Sequence, residues 1–186
     1  MYKHTLFIKF ILAYLIFGIL GFLLIATVGS QMVEKRLEFS IGEDLYREAT
    51  AISEDSLVQS NTSASNLLSL KHYLEALSEY QTSDIWILNK QGQRVFSYYD
   101  PITIDGFDPT KWGSYYRTGN FYGFFDEDRL SVLAPITDGS TLTIRGYVAM
   151  HYPMSELYYQ RELFLSISYI LFLLLFLLSL SILLLF

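Results

Sequence analysis

The chain contains two long apolar blocks with a mixed polar and apolar segment between them. Residues 10–33 and 163–186 contain no Asp, Glu, Lys or Arg, and the second block consists mostly of Leu, Phe and Ile. An α-helix of either length reaches about 36 Å, which exceeds the roughly 30 Å of a bilayer's hydrocarbon core. The pattern therefore predicts transmembrane helices over residues 10–33 and 163–186, flanking a water-exposed segment over residues 34–162.

The first apolar block also has some features of a cleaved signal peptide. Lys3 and Lys9 precede it, and the small residues Ala26, Gly29 and Ser30 lie near its end. Its uncharged run is longer than the roughly 7 to 15 residues of a signal-peptide core, which favours an uncleaved anchor. The two lysines place residues 1–9 in the cytoplasm by the positive-inside rule, so residues 34–162 are expected outside.

Helical periodicity continues beyond the first predicted span. Apolar residues recur at steps of three and four from Val33 to Ile52, which predicts a long helix that extends outward from the membrane. The polar run over residues 60–65 interrupts it, and a second helix is predicted before residue 80, with a leucine stripe at Leu67, Leu70, Leu74 and Leu77. The stripe is too short for a coiled coil, so we interpret it as core packing.

The remaining part of the outer segment, residues 84–153, has the pattern of a sheet. Ile85–Leu88, a turn at residues 89–92 and Arg94–Tyr99 predict a β-hairpin. A crossover follows, in which Asp108 and Pro109 predict a short helix start. Three more strands are predicted over residues 121–125, 130–136 and 142–152, the last closed by Pro153. This order of elements predicts an α+β fold in which long N-terminal helices pack on a five-stranded antiparallel sheet.

Charge and composition exclude several classes of function. Residues 34–162 carry all 19 acidic side chains and every basic one except Lys3 and Lys9, so this segment is more negative than the net −6 of the whole chain. Such acidity argues against binding of nucleic acid or of anionic lipid headgroups. The chain has no cysteine, so the outer domain is held by its core and not by disulfides.

Three stretches between the spans resemble the input region of bacterial transmembrane sensor histidine kinases with an extracytoplasmic PAS-like (Cache-type) domain. These stretches are Asp84–Gly92, Leu130–Ile136 and Gly146–Met154. The resemblance implies two transmembrane helices that bracket a PAS-like (Cache-type) domain in the bacterial plasma membrane. It also implies a parallel homodimer formed through the first long helix.

The resemblance further implies domains that lie beyond residue 186. In that family a HAMP linker, a phosphoacceptor-histidine helix pair and an ATP-binding domain follow the second span. We therefore expect this chain to be part of a longer receptor. ATP and Mg²⁺ are expected only in the missing kinase core, and a cytoplasmic response regulator is expected to act through the missing domains.

No catalytic centre is expected within the chain itself, and no cofactor or metal is expected to bind it. His4 lies at the cytoplasmic edge and His72 and His151 lie outside, so none is placed to receive phosphate from cytoplasmic ATP. No glycine-rich phosphate loop or paired Cys/His spacing occurs. The acidic run over residues 126–128 sits in a tight turn and cannot converge on one cation, which favours a solvated turn.

An aromatic-rich stretch provides the candidate ligand-binding residues. These residues come from the second strand and the crossover, which face the ligand cavity in PAS-like sensors, and they are Tyr98, Tyr99, Asp100, Trp112, Tyr115, Tyr116 and Arg117. Aromatic walls with a few polar groups suit a small organic ligand. The alternative is that the tyrosines form a core with their hydroxyls at the surface.

Three functions are consistent with this pattern. The first is signal input to a two-component histidine kinase that responds to an unknown extracellular stimulus. The second is the same front end on a chemotaxis transducer or a cyclic-dinucleotide enzyme. The third is a non-signalling membrane scaffold that binds a partner protein in the envelope.

Overall fold

The structure is a computed structural model that describes residues 2–59, 64–96, 102–112 and 115–185. Its contacts divide the chain into two compact units. One, the helix-pair unit, comprises the residues up to Leu37 and those from Leu157 onward. The other, the sheet unit, comprises Glu38–Glu156.

The apolar blocks form helices, as predicted. Helix α1 is Tyr2–Leu24, a π-helical turn follows at Ile25–Gly29, and α2 is Ser30–Glu54. The last helix, α5, is Met154–Leu185. Both apolar stretches are long enough and apolar enough to cross a membrane, which fits a two-pass membrane protein.

Aromatic rings and glycines pack α1 against α5 within the helix-pair unit. The rings of Tyr14 and Phe176 stack at 4.8 Å, and the Tyr14 hydroxyl donates to the Phe176 carbonyl at 3.1 Å. Gly18 and Gly21 face Phe176 and Phe172, and a Cβ at Gly21 would lie 2.8 Å from the Phe172 ring. Glycine thus allows the rings of one helix to approach the backbone of the other, as small residues do at membrane-helix interfaces.

The predicted extension of the first span into a long helix is confirmed, but that helix ends earlier than its polar interruption suggested. Helix α2 stops at Glu54 and a single turn, α3, follows at Ser56–Gln59. Helix α4 is Ala64–Gln81, and residues 60–63 lie outside the described part of the chain. Leu70 and Leu74 of its leucine stripe are buried, which confirms that this part of the stripe is core packing.

Five strands form one antiparallel sheet, as predicted. They are β1 (Asp84–Asn89), β2 (Arg94–Phe96), β3 (Tyr116–Gly119), β4 (Arg129–Thr137) and β5 (Ile144–Pro153). Their order across the sheet is β2-β1-β5-β4-β3. The side chains of residues 85–88 are all buried, so both faces of β1 are covered. The described part of the second predicted strand ends at Phe96, and residues 97–99 lie outside the described ranges.

The third strand is not where the sequence pattern placed it. We predicted a strand over residues 121–125, but β3 is Tyr116–Gly119 and residues 121–125 form turns. The backbone shows why, because Tyr122 and Gly123 have φ values of 50° and 77°. Positive φ is incompatible with an extended strand. The aromatic run therefore folds back over the sheet, and Phe121 is buried in the core.

The crossover contains the predicted short helix start. Pro109–Lys111 is one 3₁₀ turn, and the Asp108 carboxylate accepts a hydrogen bond from the Thr110 amide at 3.1 Å. This is an N-cap followed by proline at the first helical position. The turn precedes Trp112, which packs against the buried cluster of Trp86, Leu88, Ile104, Phe121 and Ala149.

Candidate ligand cavity

One row of side chains crosses the sheet and leads to the candidate site. In the strand register Arg117 of β3 lies opposite Ser131 of β4, and Ser131 lies opposite His151 of β5. Directly opposed residues point to the same face of a sheet, so the three side chains share a face. Tyr116 precedes Arg117 and points to the other face, where its ring lies against Gly42 of α2.

An open cavity of about 270 Å³ lies at the β3 end of this row. Crossover residues, the β3 strand and the turn after it form its walls, and Ser131 contributes its sheet side. Its lining residues are Gly106, Lys111, Trp112, Arg117, Thr118, Gly119, Asn120, Phe121, Tyr122 and Ser131. Both charged side chains among them, Lys111 and Arg117, are cationic and exposed.

The wall of the cavity is rigidified by aromatic and polar contacts. Trp112 meets Phe121 edge to face at 5.6 Å, and the Arg117 guanidinium lies 5.8 Å from the Trp112 ring centroid. Asn120 closes the turn, because its side chain donates to the Phe125 carbonyl and accepts from the Phe125 amide. A preformed wall of this kind lowers the entropic cost of holding a ligand.

His151 lies behind Ser131 and is fully buried. Its Nδ1 is 2.8 Å from the Ser131 hydroxyl oxygen, and its ring packs against Phe121, Trp86 and Phe125 at centroid distances of 4.3, 4.6 and 5.1 Å. Burial, together with the smaller effect of the charges of Arg129 and Arg94, lowers the pKa of His151 to about 3. The imidazole is therefore neutral at physiological pH.

Two arginines pack on the same aromatic cluster. The Arg94 guanidinium lies 4.7 Å from the Trp86 ring centroid, and the Arg129 guanidinium lies 4.6 Å from that of Phe125. Arg129 also approaches Asp84 at 3.5 Å and Glu127 at 3.3 Å. These contacts place Glu127 of the predicted solvated turn in an ion pair at the strand end. In the described part of the chain no group of His, Asp and Glu side chains is arranged to hold a metal ion.

The structure separates the predicted ligand-binding residues into two locations. Trp112 and Arg117 line the cavity. Tyr115 and Tyr116 line a larger, mostly apolar groove along α2, where Tyr115 meets Tyr46 at 5.2 Å. Tyr98, Tyr99 and Asp100 lie outside the described residues.

Sequence patterns did not indicate the remaining polar residues of the cavity, of which Ser131 is the most buried. The pattern placed Ser131 and His151 in two predicted strands, with His151 on the extracytoplasmic side of the membrane, but it did not link them. No local pattern connects two residues that are 20 positions apart and meet only through the β4–β5 register. An isolated polar residue in an otherwise apolar strand is the signal that marks each of them.

Comparison with known proteins gives matches in structure only. Neither a protein-family model nor a curated protein sequence matches the chain. A crystallised domain assigned to the sensory box/GGDEF family, from Vibrio parahaemolyticus, aligns with a TM-score of 0.54 at 12% identity. The alignment covers 69% of this chain and 59% of that one, so the chain spans less than two thirds of the solved domain.

Two further solved structures are more distant. The extracellular domain assigned to a histidine kinase aligns with a TM-score of 0.48 at 13% identity, over 71% of this chain and 57% of that one. The ligand-binding domain of the Campylobacter jejuni chemoreceptor Tlp3, solved with L-valine, aligns with a TM-score of 0.44 at 10% identity, over 76% and 65%. The likeness to the Vibrio domain shows the fold, which is that of sensory domains of the PAS/Cache type.

Proposed function

We propose that this chain is the signal-sensing and transmembrane input region of a two-component sensor histidine kinase. The observation that carries the proposal is an open cavity with aromatic walls and two cationic side chains in a sensory-type fold, within a chain that has two membrane-span-like helices. At about 270 Å³ the cavity lies just below the roughly 300–1,000 Å³ of pockets for drug-sized ligands, so it suits only a smaller organic ligand. The ligand is either the stimulus itself or a molecule whose concentration changes with the stimulus.

The connection between the sheet and the last helix supports a signalling role. Strand β5 ends at Pro153 and α5 begins at Met154, so no flexible linker separates them. The Met154 amide also donates to the Asp128 carbonyl at 3.1 Å, which fixes the start of the helix against the turn before β4. A displacement of β5 on ligand binding is thereby transmitted to the first turn of α5.

We further propose that the chain sits in a bacterial plasma membrane with its N-terminus in the cytoplasm. Lys3 and Lys9 precede the first span, and the acidic segment lies between the spans. A cysteine at the exposed Ser140 should react with a membrane-impermeant thiol reagent in intact cells, whereas a cysteine at Lys3 should react only after lysis. The reverse pattern would place the sheet unit in the cytoplasm.

The output is tested on the protein purified from its native membranes, with a tag inserted between the exposed residues Lys90 and Gln91. A histidine kinase transfers phosphate from labelled ATP to a histidine, giving an acid-labile phosphoprotein. Conversion of GTP to a cyclic dinucleotide would identify the second type of output, and the Vibrio neighbour's assignment to the GGDEF family makes that assay necessary. If the protein shows neither activity but deletion of its gene alters chemotaxis, the result would identify a transducer. If deletion changes no signalling response, the result would support a scaffold.

A further inference from the structure

The connection between β3 and β4, residues 120–128, extends from the cavity to the beginning of α5. Asn120 and the two residues that follow it line the cavity. At the other end of the connection, the Asp128 carbonyl accepts a hydrogen bond from the Met154 amide at 3.1 Å. One short segment therefore contacts both the candidate ligand site and the first residue of the last helix.

The Asn120 side chain ties the first half of this connection together. Its amide donates to the Phe125 carbonyl and accepts from the Phe125 amide, the second bond at 3.2 Å. The chain reverses between the two residues through the positive φ of Tyr122 and Gly123. Because one planar amide makes both bonds, the Asn120 side chain moves together with the Phe125 backbone or loses the bonds.

The Phe125 ring lies between two side chains of the sheet. It stacks on Trp86 at 5.4 Å and 28°, and the Arg129 guanidinium lies 4.6 Å from its centroid. Arg129 is the first residue of β4, and it also approaches Asp84 at 3.5 Å and Glu127 at 3.3 Å. A displacement of Phe125 is thus carried to the residues at the beginning of β4.

The beginning of α5 depends on this connection for one hydrogen bond. The first N–H groups of a helix have no acceptor within the helix, and the Met154 amide donates to Asp128 instead. Strand β5 is paired with β1 on one side and β4 on the other, whereas the connection is held by a few turn contacts. Segments of the second kind open at a lower free energy than central strands. The connection is therefore a route to α5 that leaves the central strand in place.

We propose that residues 120–128 relay the occupancy of the cavity to α5. Asn120 is the positioning residue of this relay, because it sets the hydrogen bond between Asp128 and Met154. A ligand that contacts Asn120 displaces Phe125 with it, and the connection carries the displacement to Asp128. The inference rests on the proposed sensory function and adds the residues that link its cavity to its last helix.

Hydrogen exchange of the Met154 amide, resolved by residue in the full chain in detergent micelles, tests the relay. Asn120→Ala should speed this exchange about fivefold, as expected when hydrogen bonds of modest net strength are lost. Asn89→Ala is the matched control, because Asn89 closes the β1–β2 turn by accepting from the amides of Gln91 and Gln93 at 3.0 and 2.9 Å. It should leave the exchange of Met154 unchanged.

A general loosening of the sheet would give a different result. The amides of β5 that pair with β1 and β4 report opening of the whole sheet. They should exchange at the same rate in Asn120→Ala and in the unmodified chain, so that only the beginning of α5 responds.

Occupancy of the cavity is imitated with a covalent probe. The chain has no cysteine, so a single cysteine in place of Arg117, which lines the cavity, is modified by benzyl methanethiosulfonate at one place only. The attached ring should change the exchange of the Met154 amide, and Asn120→Ala should abolish that change. The same group on a cysteine in place of the exposed Lys90 should have no effect.

Four results would overturn the inference. They are unchanged exchange of Met154 in Asn120→Ala, faster exchange throughout β5, no effect of the benzyl group in the cavity, and an effect that persists without the Asn120 side chain. None of these measurements uses ATP or GTP, so the sensory function is judged independently by the phosphate-transfer assay.

Discussion

The Arg161 guanidinium donates a hydrogen bond to the Glu34 carboxylate at 2.8 Å, which joins α5 to α2 across 127 positions of the sequence. Both side chains are about three-quarters buried, and Arg161 also donates to Glu162. Within the helix-pair unit this ion pair lies where the apolar blocks give way to charged sequence. It adds a polar contact to the register that the Tyr14–Phe176 contacts set between the two helices.

Removing either partner should loosen the helix pair. Glu34→Gln and Arg161→Gln should each lower the thermal unfolding midpoint of the chain in detergent, and the exchange Glu34→Arg with Arg161→Glu should recover part of the loss. A double-mutant cycle should give a coupling of about 1 kcal/mol, the upper range for partly exposed pairs. Additive single effects would show that the pair contributes nothing.

Gly18 should be intolerant of a side chain. A Cβ there would overlap the Phe176 ring, which is held by stacking on Tyr14. Gly18→Ala should therefore lower the unfolding midpoint relative to Gly29→Ala, where an added Cβ meets only ordinary contact with Ile25 at 3.7 Å. Overpacking of this kind costs about 1–3 kcal/mol. Rescue by Phe176→Leu would confirm the contact, and failure of that rescue would contradict it.

Burial of neutral His151 predicts acid sensitivity. The pKa of the folded-state imidazole is about 3, whereas an unfolded histidine titrates near 6.5, so acid protonates the unfolded chain first. Stability should fall by about 1.4 kcal/mol per pH unit below about 6.5, down to the folded-state pKa. Unfolding midpoints at pH 7 and pH 5 check this, with His151→Phe expected to show the flatter dependence.

The titration of Asp138 lies outside the pH range of that comparison. Hydrogen bonds from Ser140 and Thr141 lower the pKa of Asp138 to about 2, so its stabilising effect is lost only below the ordinary carboxyl range near pH 4. The exposed His72 is the same in both chains. Equal slopes for the two proteins between pH 7 and pH 5 would show that His151 is accessible to protons in the folded state.

Under the proposed sensory function, Arg117 should govern the response to the stimulus. A ligand shifts a two-state equilibrium only through its differential affinity, and a shift from 1:99 to 99:1 takes about 5.5 kcal/mol. Losing the charge-assisted bonds of Arg117 should raise the stimulus concentration for half response about tenfold or more. The measurement is a dose–response curve at matched membrane level, with Lys90→Ala as control. A normal response from Arg117→Ala would show that Arg117 is only a surface charge and does not bind the ligand.

The proposed parallel homodimer through α2 predicts a periodic crosslinking pattern. Within the sheet unit, Gly42, Leu45, Ala49 and Ile52 are buried, whereas Glu43, Arg47, Ala51 and Glu54 face outward. Single cysteines should crosslink at positions 43, 47, 51 and 54 and remain monomeric at 45 and 49 in native membranes. A flat profile along the helix would argue against a dimer formed by this face.

Local patterns in the sequence were sufficient for the elements whose causes are local. The uncharged blocks specified the two long apolar helices, because transfer of apolar side chains out of water depends on composition and length. The hairpin from β1 to β2 followed from its strand residues and the turn ending at Gly92, whose φ of 77° suits glycine. Asp108 and Pro109 likewise predicted the 3₁₀ turn, because an N-cap residue followed by proline is a local signal.

The tertiary structure decided what depended on distant residues. The aromatic run from Phe121 to Phe125 has strand propensity. Positive φ at Tyr122 and Gly123 turns the chain back onto the core, where Phe121 packs against Trp86 and His151. Burial of these large rings contributes more free energy than a few hydrogen bonds of the strand ladder, so it overrides the strand propensity of the run.

The same holds for the cavity. Alternation along β3 sends Arg117 to the cavity face and Tyr116 to the α2 face, so neighbours in the sequence contribute to different surfaces. Ser131 and His151 meet only because β4 and β5 pair in one register, and a shift of one residue between the strands would place the two side chains on opposite faces. Composition and periodicity therefore predicted two long apolar helices and an antiparallel sheet, whereas strand register determined which polar groups line its cavity.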